Sequence, residues 1–234
     1  MRPMRYAAFA IACCALCCAP EQAADRGQAL ATEARFSPSP SNVFACTTCH
    51  SVAGLDQQAT LRLPGFPLSG AASRPSFWGG GVRYLLDAVN HCYVDFMRGE
   101  KLSPDDIQGL ELVAYLKSIA PQPEPARACT VVKNIDAAYL ASLPPGDPRR
   151  GQGAYQTTCG YCHGQSHTGE GRIGPHISLI PDDTISTFGA QARTIVAEKA
   201  RHGRYFGIVG NMPPYCVEAL SDADLADILS YLFK

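Results

Sequence analysis

Two short segments of the sequence repeat one arrangement of two cysteines and a histidine. They read Cys-Thr-Thr-Cys-His at residues 46–50 and Cys-Gly-Tyr-Cys-His at residues 159–163. In a C-x-x-C-H pattern the two thiols add to the two vinyl groups of one porphyrin, and the adjoining histidine then lies under the iron. We therefore predict two covalently attached heme c groups. The predicted attachment residues are Cys46, Cys49, Cys159 and Cys162, and the predicted proximal iron ligands are His50 and His163.

A methionine after the second motif is the candidate for the other axial ligand of that iron. Met212 lies in Gly-Asn-Met-Pro-Pro-Tyr (210–215), and the two prolines stiffen its loop by fixing φ. A thioether is a neutral ligand that favours ferrous iron and raises the reduction potential. The competing candidates are three histidines of the same half, His167, His176 and His202.

Two residues compete for the corresponding position on the first iron. Met97 follows His50 at nearly the same distance as Met212 follows His163, but no prolines come after it. Cys92 offers a thiolate instead, an anionic donor that stabilises ferric iron, lowers the potential and is itself a nucleophile. Both ligands remain open at this point. Cys92 is also the candidate catalytic residue if the chain is an enzyme.

The sequence downstream of each motif ends in a similar helical pattern. Residues 102–116 and 220–232 both open with a predicted serine N-cap, Ser103 or Ser221, and then place apolar residues at helical spacing. We predict an internal duplication, with a proline-rich, extended linker between the copies. The predicted organisation is a signal peptide at 1–24, a first domain at 25–120, the linker at 121–146 and a second domain at 147–234.

The N-terminus has the features of a secretory signal peptide. A short basic stretch precedes an apolar run at 6–19, and small residues follow near Ala23 and Ala24, where cleavage is expected. The run is shorter than the roughly 20 residues that a transmembrane helix needs. We predict export to the periplasm. Membrane association is expected only if the signal stays uncleaved or if one of its cysteines, Cys13, Cys14, Cys17 or Cys18, is lipidated.

Three cysteines lie outside both the signal peptide and the two motifs: Cys92, Cys129 and Cys216. In an oxidising compartment two of the three are expected to pair. A Cys129–Cys216 disulfide would tie the linker to the second domain and leave Cys92 for the iron. The alternative is a Cys92–Cys129 disulfide with Met97 on the iron.

The two motifs, a ligand-bearing loop and a final helix ending in Tyr-Leu together resemble the class I cytochrome c family. This resemblance implies an all-α fold, here as two tandem class I cytochrome c domains joined by the proline-rich linker. It also implies that a backbone carbonyl at Gly174-Pro175 accepts the ring N–H of His163, which would fix the orientation of the ring.

Residues 85–116 resemble a segment of the diheme thiosulfate dehydrogenases and of the heme subunit of thiosulfate-oxidising Sox complexes. In those families a cysteine within an Arg-Ile/Val-Asn-x-Cys segment is the axial ligand of the active-site heme, and arginines hold the anionic substrate. The matching positions are Val89, Asn90, Cys92, Met97, Gly99 and Tyr115, and the candidate arginines are Arg62, Arg74, Arg83 and Arg98.

The formal net charge of −1 offers no electrostatic reason to expect a nucleic acid as a partner. We predict a periplasmic diheme c-type cytochrome that transfers electrons between redox partner proteins. The alternative is an oxidoreductase that oxidises a small sulfur anion, such as thiosulfate, at a first heme ligated by Cys92.

Overall fold

The computed structural model describes residues 18–52, 60–120, 128–204 and 210–234, and this part of the chain is helical. We call the described residues up to 120 the first half and those from 128 the second half. Within these ranges the isolated bridge between Phe77 and Val82 is the one strand-like pairing. The prediction of an all-α fold is therefore confirmed.

Ten α-helices follow one another along the described chain. In order they are α1 (Cys18–Thr32), α2 (Cys46–Cys49), α3 (Leu85–Asn90), α4 (Ile107–Ser118), α5 (Ala137–Ser142), α6 (Pro148–Thr158), α7 (Gly160–His163), α8 (Asp182–Phe188), α9 (Ala192–His202) and α10 (Asp222–Leu232). A π-helical turn (His91–Phe96) continues α3, and short 3-10 turns lie at Ala34–Phe36, Leu68–Ser73, Trp78–Gly80 and Gly189–Gln191.

The first half is built around the crossing of α1 and α4. Gly27 lies directly against the backbone of Glu111, where an added Cβ would collide with the carbonyl oxygen and with Cβ of Tyr115. The guanidinium of Arg26 bonds to the Glu111 carboxylate beside this contact. The absence of a side chain at Gly27 thus lets the two backbones meet, and an ion pair borders the contact.

The second half repeats this crossing with α6 and α10. Gly151 lies against the backbone of Asp227 and Cβ of Tyr231. Arg150 donates from Nε to Asp227 Oδ2 at 2.8 Å and from Nη2 to Oδ1 at 2.9 Å. The two halves therefore share an Arg-Gly-Gln segment, at 26–28 and 150–152, in addition to their similar last helices.

An apolar core packs beside each helix crossing. In the first half α4 buries Leu112, Tyr115 and Leu116 together with Phe36 and Phe44. In the second half α10 buries an apolar stripe around Tyr155, made of Leu225, Ile228, Leu229 and Leu232.

One of the two predicted N-caps is confirmed and the other is wrong. The N–H of Asp224 donates to Ser221 Oγ at 3.1 Å at the start of α10. Helix α4 instead begins at Ile107, with Asp106 as its N-cap. The Asp106 carboxylate accepts the N–H of Ser103 at 2.5 Å, so these residues close a local turn that competes with the helix.

The described part of the predicted linker is more ordered than an extended segment. Residues 121–127 lie outside the described residues, but the remainder contains α5 and the predicted disulfide between Cys129 and Cys216, which is confirmed. Thr130 donates from its N–H to Glu218 Oε2 at 2.8 Å. The segment therefore packs as part of the second half.

The predicted signal peptide lies largely outside the described residues, which begin at Cys18. Helix α1 runs across the expected cleavage position near Ala23 and Ala24. Among the residues that the structure describes, no helix combines the length and apolar character needed to cross a membrane.

The helix crossing can be tested at two glycines of the same helix. Alanine at Gly151 is expected to destabilise the protein by about 1–3 kcal/mol, because the added methyl group meets backbone atoms of α10. Alanine at Gly153 is expected to stabilise it by about 0.5–1 kcal/mol, because nothing lies within 4 Å of the added Cβ and alanine favours helix. Denaturant unfolding of the holoprotein measures the change in unfolding free energy for each variant. Equal changes in the two variants would contradict the close crossing of α6 and α10.

Candidate heme-binding site

The first C-x-x-C-H motif borders a cavity of about 510 Å³ in the first half, which we call cavity 1. The motif forms α2, with His50 directly after it. The size lies within the range of small-molecule and cofactor sites. The walls are mostly apolar and include Phe36, Phe44, Leu68, Phe96, Leu112 and Leu116.

The ring of His50 is held in one orientation. Its Nδ1 lies 2.6 Å from the carbonyl oxygen of Phe66, which assigns the proton to Nδ1 and leaves the Nε2 lone pair for a metal. Gly65 packs directly against the ring. Burial lowers the pKa of His50, so the imidazole is neutral, the form that binds a metal.

The second motif borders a cavity of about 350 Å³, which we call cavity 2. His163 Nδ1 lies 2.9 Å from the carbonyl oxygen of Ser178, and burial lowers the pKa of this histidine as well. The expected carbonyl at Gly174-Pro175 was therefore the wrong one. The N–H of Ile177 donates to the Gly174 carbonyl at 3.1 Å, and this turn brings Ser178 to the ring instead.

Met212 lines cavity 2, together with Cys159, Cys162 and His163. Of the competing histidines, His176 also lines this cavity. The other two make side-chain or backbone contacts elsewhere: His167 Nδ1 with Asp182 at 3.0 Å, and His202 Nε2 with the Val132 carbonyl at 2.5 Å.

Cys92 and Met97 both line cavity 1, as do Cys46, Cys49 and His50 of the first motif. Cys92 lies in the π-helical turn, a type of turn that is frequent at functional sites. Burial raises the pKa of Cys92 to about 12, with smaller contributions from Cys46 and Asp95. Met97 is 3% exposed and packs in the apolar core. The geometry thus brings both sequence candidates to the same cavity.

The two cavities adjoin one another. Four residues line both of them: Phe44, Cys49, Pro64 and Pro213. Burial raises the pKa of Tyr215, and the next contributions come from Cys159, Cys162 and Cys49. Tyr215 lines cavity 2, as do Cys49 of the first motif and Cys159 and Cys162 of the second.

Hydrogen bonds join the halves around Tyr215. Its hydroxyl donates to the Thr158 carbonyl at 3.0 Å and lies 3.4 Å from the Arg62 carbonyl. The N–H of Arg62 donates to the Thr157 carbonyl at 2.8 Å, and its guanidinium pairs with Asp224. Sequence reasoning missed Tyr215, because no local pattern marks a residue whose partners are distant along the chain.

The residues around both cavities fit covalently attached heme. Each cavity combines two buried thiols, a neutral histidine with Nε2 available, and largely apolar walls. Burial raises the pKa of Cys46 and Cys162 to about 11, and that of Cys159 to about 12. The buried hydroxyl of Thr158 borders cavity 2 and has no hydrogen-bond partner among the described residues.

Removing the Tyr215 hydroxyl tests the junction between the halves. The Tyr215→Phe variant is expected to lose about 0.5–1.5 kcal/mol of unfolding free energy, because the buried Thr158 carbonyl loses its donor. Tyr161→Phe is the control, since that side chain is 40% exposed and is expected to change stability by less than about 0.5 kcal/mol. Equal losses in the two variants, measured by denaturant unfolding, would show that the Tyr215 bond does not support the junction.

The chain was compared with known protein families and structures, and the family match lies in the second half. Residues 146–232 match the family model described as cytochrome c oxidase, cbb3-type, subunit III. The chain is also similar to a solved structure of thiosulfate dehydrogenase (TsdBA) from Marichromatium purpuratum in its as-isolated form, with 18% identity and a TM-score of 0.44. That match covers 91% of this chain and 46% of the other, so the chain spans about half the length of that structure. No curated protein matches the chain.

The family match agrees with the geometry of the second motif and its cavity. A domain of this family carries covalently attached heme and exchanges electrons with redox partner proteins. Residues 146–232 thus match a cytochrome c family domain, and heme-based electron transfer is the function that such a domain implies.

Proposed function

We propose that the chain is an exported, periplasmic diheme cytochrome c that passes electrons between redox partner proteins. The observation that carries this proposal is the pair of adjoining cavities. Cys46, Cys49 and His50 line cavity 1, and Cys159, Cys162 and His163 line cavity 2. The heme iron supplies the chemistry by cycling between the ferric and ferrous states. The protein supplies attachment, orientation of the ligands and exclusion of water.

Each motif supplies the same set of groups. Cys46 and Cys49 would hold the first heme by thioether bonds, and Cys159 and Cys162 would hold the second. The Nδ1–H bonds to Phe66 and Ser178 keep the two histidine rings oriented and make Nε2 a better donor to iron.

Met212 is the proposed second axial ligand in cavity 2. Its backbone carbonyl accepts the N–H of Arg204 at 2.8 Å, and Pro213 and Pro214 follow it, so the loop is held on both sides. A loop held in this way favours a stable methionine–iron bond and a raised potential.

Cys92 is the proposed second axial ligand in cavity 1. The Cys129–Cys216 disulfide leaves Cys92 as a free thiol, and Cys92 lines the same cavity as Cys46. Because the protein environment alone raises the pKa of Cys92 to about 12, its thiolate form would depend on the positive charge of a bound iron.

A second candidate function is oxidation of a small sulfur anion at this cavity. Arg74 lines cavity 1 together with Cys92, so a cation and a nucleophilic sulfur border the same space. Arg74 is oriented by the bond from Nη2 to the Pro67 carbonyl at 2.6 Å. Of the other candidate arginines, Arg62 and Arg98 line cavity 2, and Arg83 lines neither cavity.

The heme content follows from the two motifs. The wild-type chain is expected to carry two hemes, and the Cys46→Ala/Cys49→Ala and Cys159→Ala/Cys162→Ala variants are each expected to carry one, because each pair of thiols attaches one porphyrin. Intact-mass spectrometry of denatured protein, together with pyridine hemochrome absorbance, counts covalent heme per chain. A single heme on the wild-type chain would refute the diheme proposal.

The ligand of the first iron is tested by electron paramagnetic resonance of the oxidised holoprotein. Cys92→Ala is expected to abolish a low-spin, thiolate-type signal that Met97→Ala leaves in place, because the thiolate is the stronger donor to ferric iron. A histidine–methionine signal that Met97→Ala abolishes and Cys92→Ala leaves in place would assign Met97 and remove the structural basis for sulfur chemistry.

The Cys92→Ala variant, together with Arg74→Ala, distinguishes the two candidate functions. Thiosulfate oxidation that requires both Cys92 and Arg74 would favour the enzyme. A thiolate-ligated first heme with no turnover of thiosulfate would favour electron transfer alone.

A further inference from the structure

The segment that lines cavity 1 also reaches cavity 2. Cys92 and Met97 border cavity 1, and the next residue, Arg98, borders cavity 2. Arg98 has a φ of +60°, a left-handed conformation that residues other than glycine rarely adopt. Gly99 stabilises this turn, since its N–H donates to the Tyr93 carbonyl at 2.9 Å. The turn therefore directs the Arg98 side chain toward the second half.

Arg98 holds the residue that precedes Met212. With the amide of Asn211 oriented so that its oxygen faces the guanidinium, this oxygen accepts from Arg98 Nε at 2.7 Å and from Nη2 at 3.2 Å. In the same orientation the amide nitrogen donates to the Gly210 carbonyl at 3.2 Å. The two-point contact fixes the position of Asn211, and hence of the adjoining Met212, relative to residue 98.

A second contact joins the same two segments. Arg204, whose N–H bonds to the Met212 carbonyl, places Nε 3.8 Å from Asp95 Oδ1. Asp95 belongs to the π-helical turn and also faces His91, with Nδ1 at 3.4 Å. The backbone around Met212 is thus connected on both sides to residues 91–98.

We propose that Arg98 is a positioning residue that couples the two heme sites. Through Asn211 it holds the Met212 loop against the segment 91–98, so that a change of axial ligation at the first heme shifts the reduction potential of the second. This inference rests on the proposed function, with two hemes and with axial ligands from 91–98 and Met212. The coupling is reciprocal, because a coupling free energy belongs to both sites.

Direct electrostatic interaction between the hemes would also couple their potentials, but it does not require Arg98. A double-mutant cycle separates the two effects, because it measures how far one substitution changes the effect of another. The perturbation at the first heme is Cys92→Ala or Met97→Ala, whichever alters the spectrum of that heme. The backgrounds are wild type, Arg98→Ala, Asn211→Ala and the control Arg83→Ala, whose side chain is exposed and borders neither cavity.

The measurement is a spectroelectrochemical titration of the second heme in each holoprotein, with its methionine-to-iron absorption band recorded alongside. Ligand removal at the first heme is expected to shift the second potential in the wild-type and Arg83→Ala backgrounds. Arg98→Ala and Asn211→Ala are each expected to remove more than half of that shift. Two variants on opposite sides of one contact keep the test decisive if either folds poorly.

The outcomes separate this inference from the function on which it rests. A shift of equal size in all four backgrounds would overturn the coupling through Arg98 and would leave the diheme proposal intact. Fewer than two hemes per chain would overturn the proposed function and the coupling with it. A first heme unaffected by both ligand substitutions would overturn the proposed ligand from 91–98, and with it the coupling.

Discussion

The structure depends on a close helix crossing that occurs once in each half. At Gly27 and at Gly151 the backbone of one helix rests on the backbone of another, without a side chain between them. An arginine beside each glycine bonds the acidic residue at the contact, Glu111 or Asp227. The apolar faces of α4 and α10 are positioned by these crossings, and Leu112, Leu116, Leu225 and Leu232 then line the cavities.

The linker segment contributes to the packing of the second half more than its composition suggests. Besides the disulfide, the hydroxyl of Tyr139 in α5 donates to Asp222 at 2.7 Å and accepts from Arg201 Nε at 3.0 Å. Arg201 is fully buried and also donates to the Leu220 carbonyl at 2.6 Å. A buried guanidinium is tolerated here because its donors are matched by acceptors from α5, the Met212 loop and α10.

The junction between the halves places the two motifs beside each other. Tyr215 lines cavity 2 together with cysteines of both motifs. Arg62 joins the loop after the first motif to α6 and α10. In the proposed diheme cytochrome, electron transfer would depend on the distance between the hemes, which this packing of the two motifs would set. The contacts of Arg98 and Arg204 add a second junction, between the segments that carry the candidate axial ligands.

The sequence alone determined the all-α class and the Cys129–Cys216 pairing, because these depend on residue type, local spacing or a small number of cysteines. It also supplies the two C-x-x-C-H motifs on which the proposed heme attachment depends. Local patterns also predicted the Ser221 N-cap but misplaced the start of α4, where the Asp106 carboxylate forms a competing turn. Tertiary structure decided which carbonyl holds His163, that Cys92 and Met97 border one cavity, and that Arg98 and Tyr215 connect the halves. These contacts join residues far apart along the chain. Composition and periodicity describe local sequence, so they do not predict how the two halves pack together.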